Sequence, residues 1–369
     1  MLRKNGASEK ITTGSVLSMG WFDNSDVYES WLGDLRLAGR QLDLKPLDGK
    51  AVFVTGANGL IGSCVADMLL CLARDAGIRL RVLLGARRSD SLQKRFPYWE
   101  GAYVPIGYDA VLPSLPEDPL ALVLHCASNA HPKAYSEQPV ETAMANVLGT
   151  SNLLAKLACD GEGRMVYVSS SEVYGRRDSA EPYSEDDCFP VPSLDPRSCY
   201  PASKRLAENL CAAYGAEYGV DSVIVRPGHV YGPTQTVGDD RAHAQFAREA
   251  AAGRPAVMKS AGSQFRSYCY VADCASAVLF TALRGVRGEA YNVSNPESDC
   301  TIAELARALA RAGGVRLTSK EANDAERRGY TKMSNSALDS SKLRALGWSG
   351  FFSLGDGVQR TIEILRSMV

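Results

Sequence analysis

From residue 50 onward, short apolar runs alternate with longer stretches of helical periodicity. Ala51–Thr55 is an unbroken apolar run of strand length, as a strand covered on both faces requires. Cys64–Ala73 follows with helical spacing. The strand signal returns at Arg79–Leu84, Gly101–Ile106, Ala121–His125 and Arg164–Ser169, and helical stretches over Val140–Cys159 and Tyr200–Tyr218 accompany the later ones. Strands alternating with helices predict right-handed crossovers and a parallel sheet, hence an α/β, doubly wound architecture. Past residue 233, helices over Asp273–Arg284, Thr301–Ala312 and Leu354–Met368, with a strand at Ala290–Val293, predict a smaller α/β portion. Before residue 49, Asp26–Leu37 places Val27, Trp31, Leu32 and Leu35 on one side of an amphipathic helix, suited to cover a sheet edge or a neighbouring subunit. Three segments are expected: an extension over 1–48, the main sheet over 49–232, and the smaller portion over 233–369.

Between the first strand and the first helix, Gly56, Gly59 and Gly62 stand three residues apart. Strand, glycine turn and helix together form a phosphate-binding unit: one glycine for the tight turn, one for close approach of a pyrophosphate, one for close helix–strand packing. The helix N-terminus then faces the phosphates, with Asn58, Leu60 and Ile61 lining the turn. Gly85-Ala86-Arg87-Arg88 ends the second strand. An acid there would hold the ribose hydroxyls of NAD, whereas an arginine accommodates the 2′-phosphate of NADP; the alternative is that Arg87 and Arg88 are solvated surface residues. Asp109, after the third strand, is placed to meet an adenine amino group. Cys126-Ala127-Ser128 opens the fourth strand end with small residues against which a cofactor ribose can lie.

Reactive side chains gather at the ends of the later elements. Ser169-Ser170-Ser171-Glu172 follows the fifth strand at its carboxyl end, where open α/β sheets place their ligands. Tyr200 and Lys204 lie one turn apart on one helix face. A phenol is a poor base near neutrality, and a neighbouring ammonium is expected to lower its pKa. The pair then takes a proton from an alcohol as hydride leaves its carbon, with Ser170 bonded to the same oxygen.

Composition narrows the field. The 369 residues carry a net charge of −1, which offers nothing electrostatic to nucleic acid. No apolar run approaches the roughly 20 residues of a membrane span, and no apolar signal core follows the basic opening MLRKNGASEK, so a cytoplasmic protein is expected. The 10 cysteines form no CxxC pair and read as reduced, mostly buried thiols. With 4 scattered histidines, no metal site is expected.

The set TGANGLIG, SSSEVYG, YPASK and RPGHVYGP resembles the extended short-chain dehydrogenase/reductases, the NAD(P)-dependent epimerases and dehydratases of nucleotide sugars. Within them PRSCYPASKRLAENLC, GDDRAHAQFAREAAAGRP and GSQFRSYCYV are most similar to the UDP-glucuronate decarboxylases. The resemblance runs from about Lys50 to the end. It implies a Rossmann-type sheet with a C-terminal substrate-binding portion, a tightly held and recycled NAD or NADP, a nucleotide-sugar substrate and a homodimer. It also implies Ser170, Tyr200 and Lys204 as the oxidation triad, with Glu172 as a further acid or base; a surface carboxylate capping the next turn is the alternative for Glu172. Arg241 and Arg266 would face the diphosphate or sugar acid, and Ser128, Ser171, His229 and Lys259 complete the substrate side. Three features depart from the pattern: His229 replaces an asparagine, Lys259 replaces an aromatic residue before Ser260-Ala261-Gly262, and the second strand ends in arginines. Leu338–Trp348 resembles the terminal helix of these enzymes, or is a plain amphipathic helix. One 4-keto intermediate leads to decarboxylation, dehydration or 4-epimerisation; a non-catalytic NAD(P)-binding sensor is the remaining alternative.

Overall fold

The computed structural model describes residues 24–112, 114–236, 238–322 and 333–368; the basic opening and the rest of residues 1–23 lie outside them. Helix α1 is Ser25–Gly39. The units that follow are β1 (Ala51–Thr55), α2 (Leu60–Asp75), β2 (Arg81–Ala86), α3 (Asp90–Arg95), β3 (Tyr103–Gly107), β4 (Leu122–His125), α4 (Pro132–Glu137), α5 (Pro139–Asp160), β5 (Arg164–Val168), α6 (Cys199–Tyr218) and β6 (Asp221–Pro227). After these come β7 (His229–Tyr231), α7 (Ala242–Ala251), β8 (Ala256–Met258), β9 (Phe265–Tyr270), α8 (Val271–Arg284) and β10 (Ala290–Val293). The chain continues through β11 (Asp299–Thr301), α9 (Ile302–Gly313), β12 (Leu317–Ser319), β13 (Asn335–Ser336), α10 (Ser341–Ala345) and α11 (Leu354–Arg366).

Seven strands form one parallel sheet in the order β3-β2-β1-β4-β5-β6-β10. Alternate side chains feed two cores, as the period of two demands. Val52, Val54, Val82 and Leu84 point to the layer of α1, α2 and α8, whereas Phe53, Leu83, Val123 and Met165 point to α5 and α6. Chain direction across the sheet reverses between β1 and β4, so a crevice opens at their carboxyl ends. The second strand runs two residues later than its apolar pattern suggests. Gly85 belongs to it because Phe53 lies against it: a Cβ there would come within 2.9 Å of the Phe53 ring.

The sheet is not complete at residue 232, since β10 pairs with β6 and α8 packs on α2. The other late strands build a smaller unit: β9 pairs with β7, β11 and β13, and β8 pairs with β12. Helix α1 does not cover a sheet edge. Trp31, Leu32, Leu35 and Ala38 are fully buried and pack against α2 and α8, adding an outer layer. Over Leu338–Trp348 only Ser341–Ala345 is helical. Leu338 bridges to Tyr183, and the Trp348 indole donates to Ser276 Oγ at 3.0 Å, so tertiary contacts rather than helical bonds hold this segment.

Candidate active site

The crevice begins at the glycine turn. Gly56 has φ +65°, and a Cβ on it would lie 2.8 Å from the Ala127 backbone; a Cβ on Gly62 would lie 2.3 Å from the Gly56 carbonyl oxygen. Backbone cannot yield as a flexible side chain can, so both positions need glycine. Gly59 caps α2 with no side chain to accept from the first N–H groups. Those free donors and the positive helix end fit a pyrophosphate. Leu60 and Ile61 form the first turn of α2, and the Asn58 amide donates to Ser91 Oγ at 3.2 Å. Arg87 and Arg88 follow β2 on the surface, paired with Glu141 at 3.2 Å and Asp90 at 2.9 Å. Asp109 uses Oδ1 to accept from the Val111 N–H at 2.9 Å. The Ala127 N–H donates to Thr55 Oγ1, which also bonds His125 Nδ1 at 2.7 Å. His125 is pushed down to about 3 by burial and then by the Lys204 charge, so it is neutral at pH 7.

The crevice next receives the serine segment and α6. Ser170 precedes a 3-10 turn over Ser171–Tyr174, its Oγ accepting from the Glu172 N–H at 3.2 Å, and it hydrogen-bonds Tyr200. Ser171 is buried beside it. Tyr200 stacks on Tyr135 of α4, with ring centres 4.7 Å apart. Burial pushes the phenol up to about 12, the Glu172 charge adds to this, and the Ser170 bond opposes it. Lys204 is buried; its ammonium donates to the Val168 carbonyl at 2.7 Å and stands 5.8 Å from the Tyr200 ring centre. Burial pulls Lys204 down to about 7. The expected lowering of the phenol by Lys204 is therefore not found in this arrangement. Desolvation dominates both groups, and the ammonium is bonded to backbone instead of the phenol.

On the substrate side, Glu172 accepts two bonds from Arg197, at 3.0 and 3.2 Å. Arg241 caps α7 and grips Asp239. Burial alone would raise that carboxyl, but the guanidinium holds it down to about 2. His229 lies beside Tyr268 on β9, which His243 and Tyr231 also neighbour. Burial lowers both imidazoles, His243 to about 3 and His229 well below its ordinary value, with the Arg266 charge adding at His229 and the Arg241 charge at His243. Arg266 is fully buried, donates to the carbonyls of Phe265 and Met333 at 2.8 Å each, and makes no ion pair with a carboxylate among the described residues. Its nearest charges include Glu172. Lys259 is not drawn into this cluster; it lines a separate cavity of about 580 Å3 between the ends of β8 and β12. A second cavity, of about 700 Å3, opens at the amino ends of β1, β5 and β6, the end of the sheet away from this chemistry.

Residues 52–294 match the NAD dependent epimerase/dehydratase family. The chain belongs to this family. A UDP-glucuronic acid decarboxylase 1 from Xenopus tropicalis is 29% identical over 88% of this chain and 74% of its own length. A UDP-glucuronic acid decarboxylase 6 from Arabidopsis thaliana is 32% identical over 70% of this chain and 73% of its own. Among solved structures, a UDP-glucose 4-epimerase from Thermus thermophilus in complex with NAD superposes with a TM-score of 0.71 at 27% identity, covering 86% of this chain and 99% of that one.

For a member of this family, several residues of the site carried no motif of their own. Tyr135 sits in the short helix α4, outside the periodic stretch that begins at Val140, and only the fold brings it onto Tyr200. Asn146, on α5, accepts from Ser128 Oγ at 2.8 Å and donates to Ser203 Oγ at 2.9 Å, tying the fourth strand end to α6. Arg197 lay within the PRSCY run, which was the available signal. Glu208 grips Arg226 at 3.0 and 2.8 Å and anchors α6 to β6 one turn after Lys204.

Proposed function

We propose that the protein is a nucleotide-sugar enzyme working through a 4-keto sugar, with UDP-glucuronate as substrate and loss of CO2 as the outcome. Arg266 carries this reading. A guanidinium buried without a carboxylate partner is costly, and an anion supplied by the substrate offsets that cost. Its planar fork suits a carboxylate by two parallel bonds. The names of the curated relatives support the same choice. Tyr200, which must first lose its own proton because burial raises the phenol to about 12, takes the proton of the sugar 4-hydroxyl while Ser170 bonds its oxygen. Gly56, Gly59, Gly62 and the open end of α2 hold the dinucleotide phosphates, and Lys204 its ribose. A nicotinamide held there would supply the hydride acceptor that sugar C4 needs and the donor for its return. The C5 carboxylate of a 4-keto sugar is a β-keto acid, which loses CO2 readily, and Glu172 moves the proton that C5 then takes up.

Arg87 and Arg88, with no acid at the end of β2, favour NADP; NAD is the alternative, supported by the Thermus thermophilus complex. Val140, Met144 and Leu148 form an exposed apolar stripe on α5, beside exposed Leu206 and Tyr218 on α6, which supports a homodimer through these two helices. Among the described residues no helix is long and apolar enough to cross a membrane. Six cysteines packed in the core support a reducing, cytoplasmic setting. A second reading, 4-epimerisation, is favoured by one observation: Glu172 is already engaged by Arg197. Incubation with UDP-glucuronate and a panel of other nucleotide sugars, read by mass, decides between them. Loss of CO2 is expected; an unchanged mass with a new retention time would replace decarboxylation by epimerisation.

A further inference from the structure

Four side chains form a continuous column through the site. The Tyr200 ring stacks on Tyr135, the Arg197 guanidinium carbon lies 4.4 Å from the Tyr135 ring centre, and Arg197 holds both oxygens of Glu172. Arg197 sits in the turn Pro196–Ser198 directly before α6, where Asp195 accepts from its backbone N–H at 2.9 Å. Its backbone is thus fixed by its own turn and its side chain by an aromatic face and a forked ion pair, two contacts a guanidinium satisfies together and an ammonium does not. Helix α4, which carries Tyr135, is tied in turn to the Arg241 loop: the Lys133 N–H donates to Asp240 at 3.0 Å.

We propose that Arg197 is a positioning residue that neutralises and orients Glu172, so that an acidic sugar can bind beside that carboxylate. The inference rests on the reading of Glu172 and Arg266 as substrate-facing. Two carboxylates, one from the substrate and one from Glu172, repel each other in a partly desolvated site. Arg266 attracts the first. Arg197 offsets the charge of the second and holds its position fixed, and Tyr135 couples that position to the ring of Tyr200. A neutral sugar makes no such demand.

Calorimetric titration of the purified protein with UDP-glucuronate and with UDP-glucose tests this, using the wild type, Arg197→Gln, Glu172→Gln, the double variant and Arg197→Lys. Arg197→Gln leaves Glu172 charged and unpaired, so it weakens UDP-glucuronate about tenfold or more and UDP-glucose by less than about threefold. Adding Glu172→Gln removes the stranded charge and restores UDP-glucuronate affinity to within about threefold of wild type, a coupling expected only of side chains that act on each other. A merely structural Arg197 is not rescued in this way; a double variant binding no better than Arg197→Gln overturns the proposal. Arg197→Lys, which keeps charge without the fork, retains affinity but lowers kcat; an unchanged kcat overturns the orienting role and serves as the test if Arg197→Gln does not fold. If the wild type does not bind UDP-glucuronate, the substrate reading fails by itself. The cycle is then read in kcat with the sugar that is turned over, where coupling supports the positioning role and additivity overturns it.

Discussion

His125 offers a direct measure of how dry the cofactor end of the crevice is. It lies at the carboxyl end of β4, fully buried, with Nδ1 bonded to Thr55 Oγ1, and its folded pKa is about 3. The ordinary value is about 6.5, so the unfolded chain binds the proton more readily. Stability contributed by the neutral ring is therefore fully present above about pH 6.5, is lost progressively as the pH falls, and is gone near pH 3. At pH 5 the loss relative to pH 8 is roughly 2 kcal/mol, a large share of the 5–15 kcal/mol that folded proteins typically hold. Burial raises Asp273 and Asp299 to about 6, and these oppose the trend because their protonated forms favour the fold at low pH. The informative quantity is thus a difference. Urea unfolding at pH 8 and pH 5 is followed by tryptophan fluorescence for wild type and His125→Asn, whose amide reaches Thr55 but does not titrate. The variant loses about 2 kcal/mol less than wild type between the two pH values. Parallel losses, within about 0.5 kcal/mol, would mean that His125 takes up its proton in the folded state as easily as in water, and the dry crevice would be refuted.

Tyr200→Phe is expected to abolish turnover while dinucleotide binding survives, since a general base contributes typically 10²–10⁴-fold; retention of more than about a tenth of the activity removes Tyr200 from that role. Gly62→Ala pushes a methyl into the Gly56 carbonyl and should release the dinucleotide, seen as loss of cofactor from the purified protein; full occupancy would show that the turn relaxes. Combined Arg87→Ala and Arg88→Ala should weaken NADP and spare NAD in a binding titration, and equal effects would make the two arginines plain surface residues. Met144→Asp on the exposed stripe of α5 should halve the mass measured by light scattering, whereas an unchanged mass would move the dimer contact elsewhere.

The parallel sheet and the glycine turn were legible because each is written locally: apolar runs of strand length, and glycines at a fixed spacing before a helix. The spacing of Tyr200 and Lys204 was equally readable, but their electrostatics were not. Which of burial and mutual attraction dominates depends on what surrounds both groups, and Lys204 turns out to be bonded to the Val168 carbonyl. Tyr135 and Asn146 escaped notice for a related reason: each acts through a partner distant in the chain. The Leu338–Trp348 segment shows the opposite failure, a helical pattern overridden by tertiary contacts, with Trp348 drawn to Ser276 and Leu338 to Tyr183. Helix α1 was recognised as amphipathic, but a hydrophobic stripe says that a face is covered without saying by what.

The contacts of α1 also bear on how the chain is made. Its Asp34 carboxylate is buried, accepts from the Tyr270 hydroxyl at 2.9 Å and meets the Arg360 guanidinium at 2.9 Å, across 326 residues of sequence. Among the described residues that carboxylate has no ion-pair partner until α11 leaves the ribosome. At about 5–20 residues per second the wait is roughly 15–65 s. The edge strand β10 arrives late as well, so β6 stands with an open edge for part of that time. Nascent chains are therefore exposed to aggregation and to chaperones until α11 docks. A truncation that removes α11 strands a buried charge in a layer built from the first helix onward, and its damage appears at the opposite end of the chain from the cut.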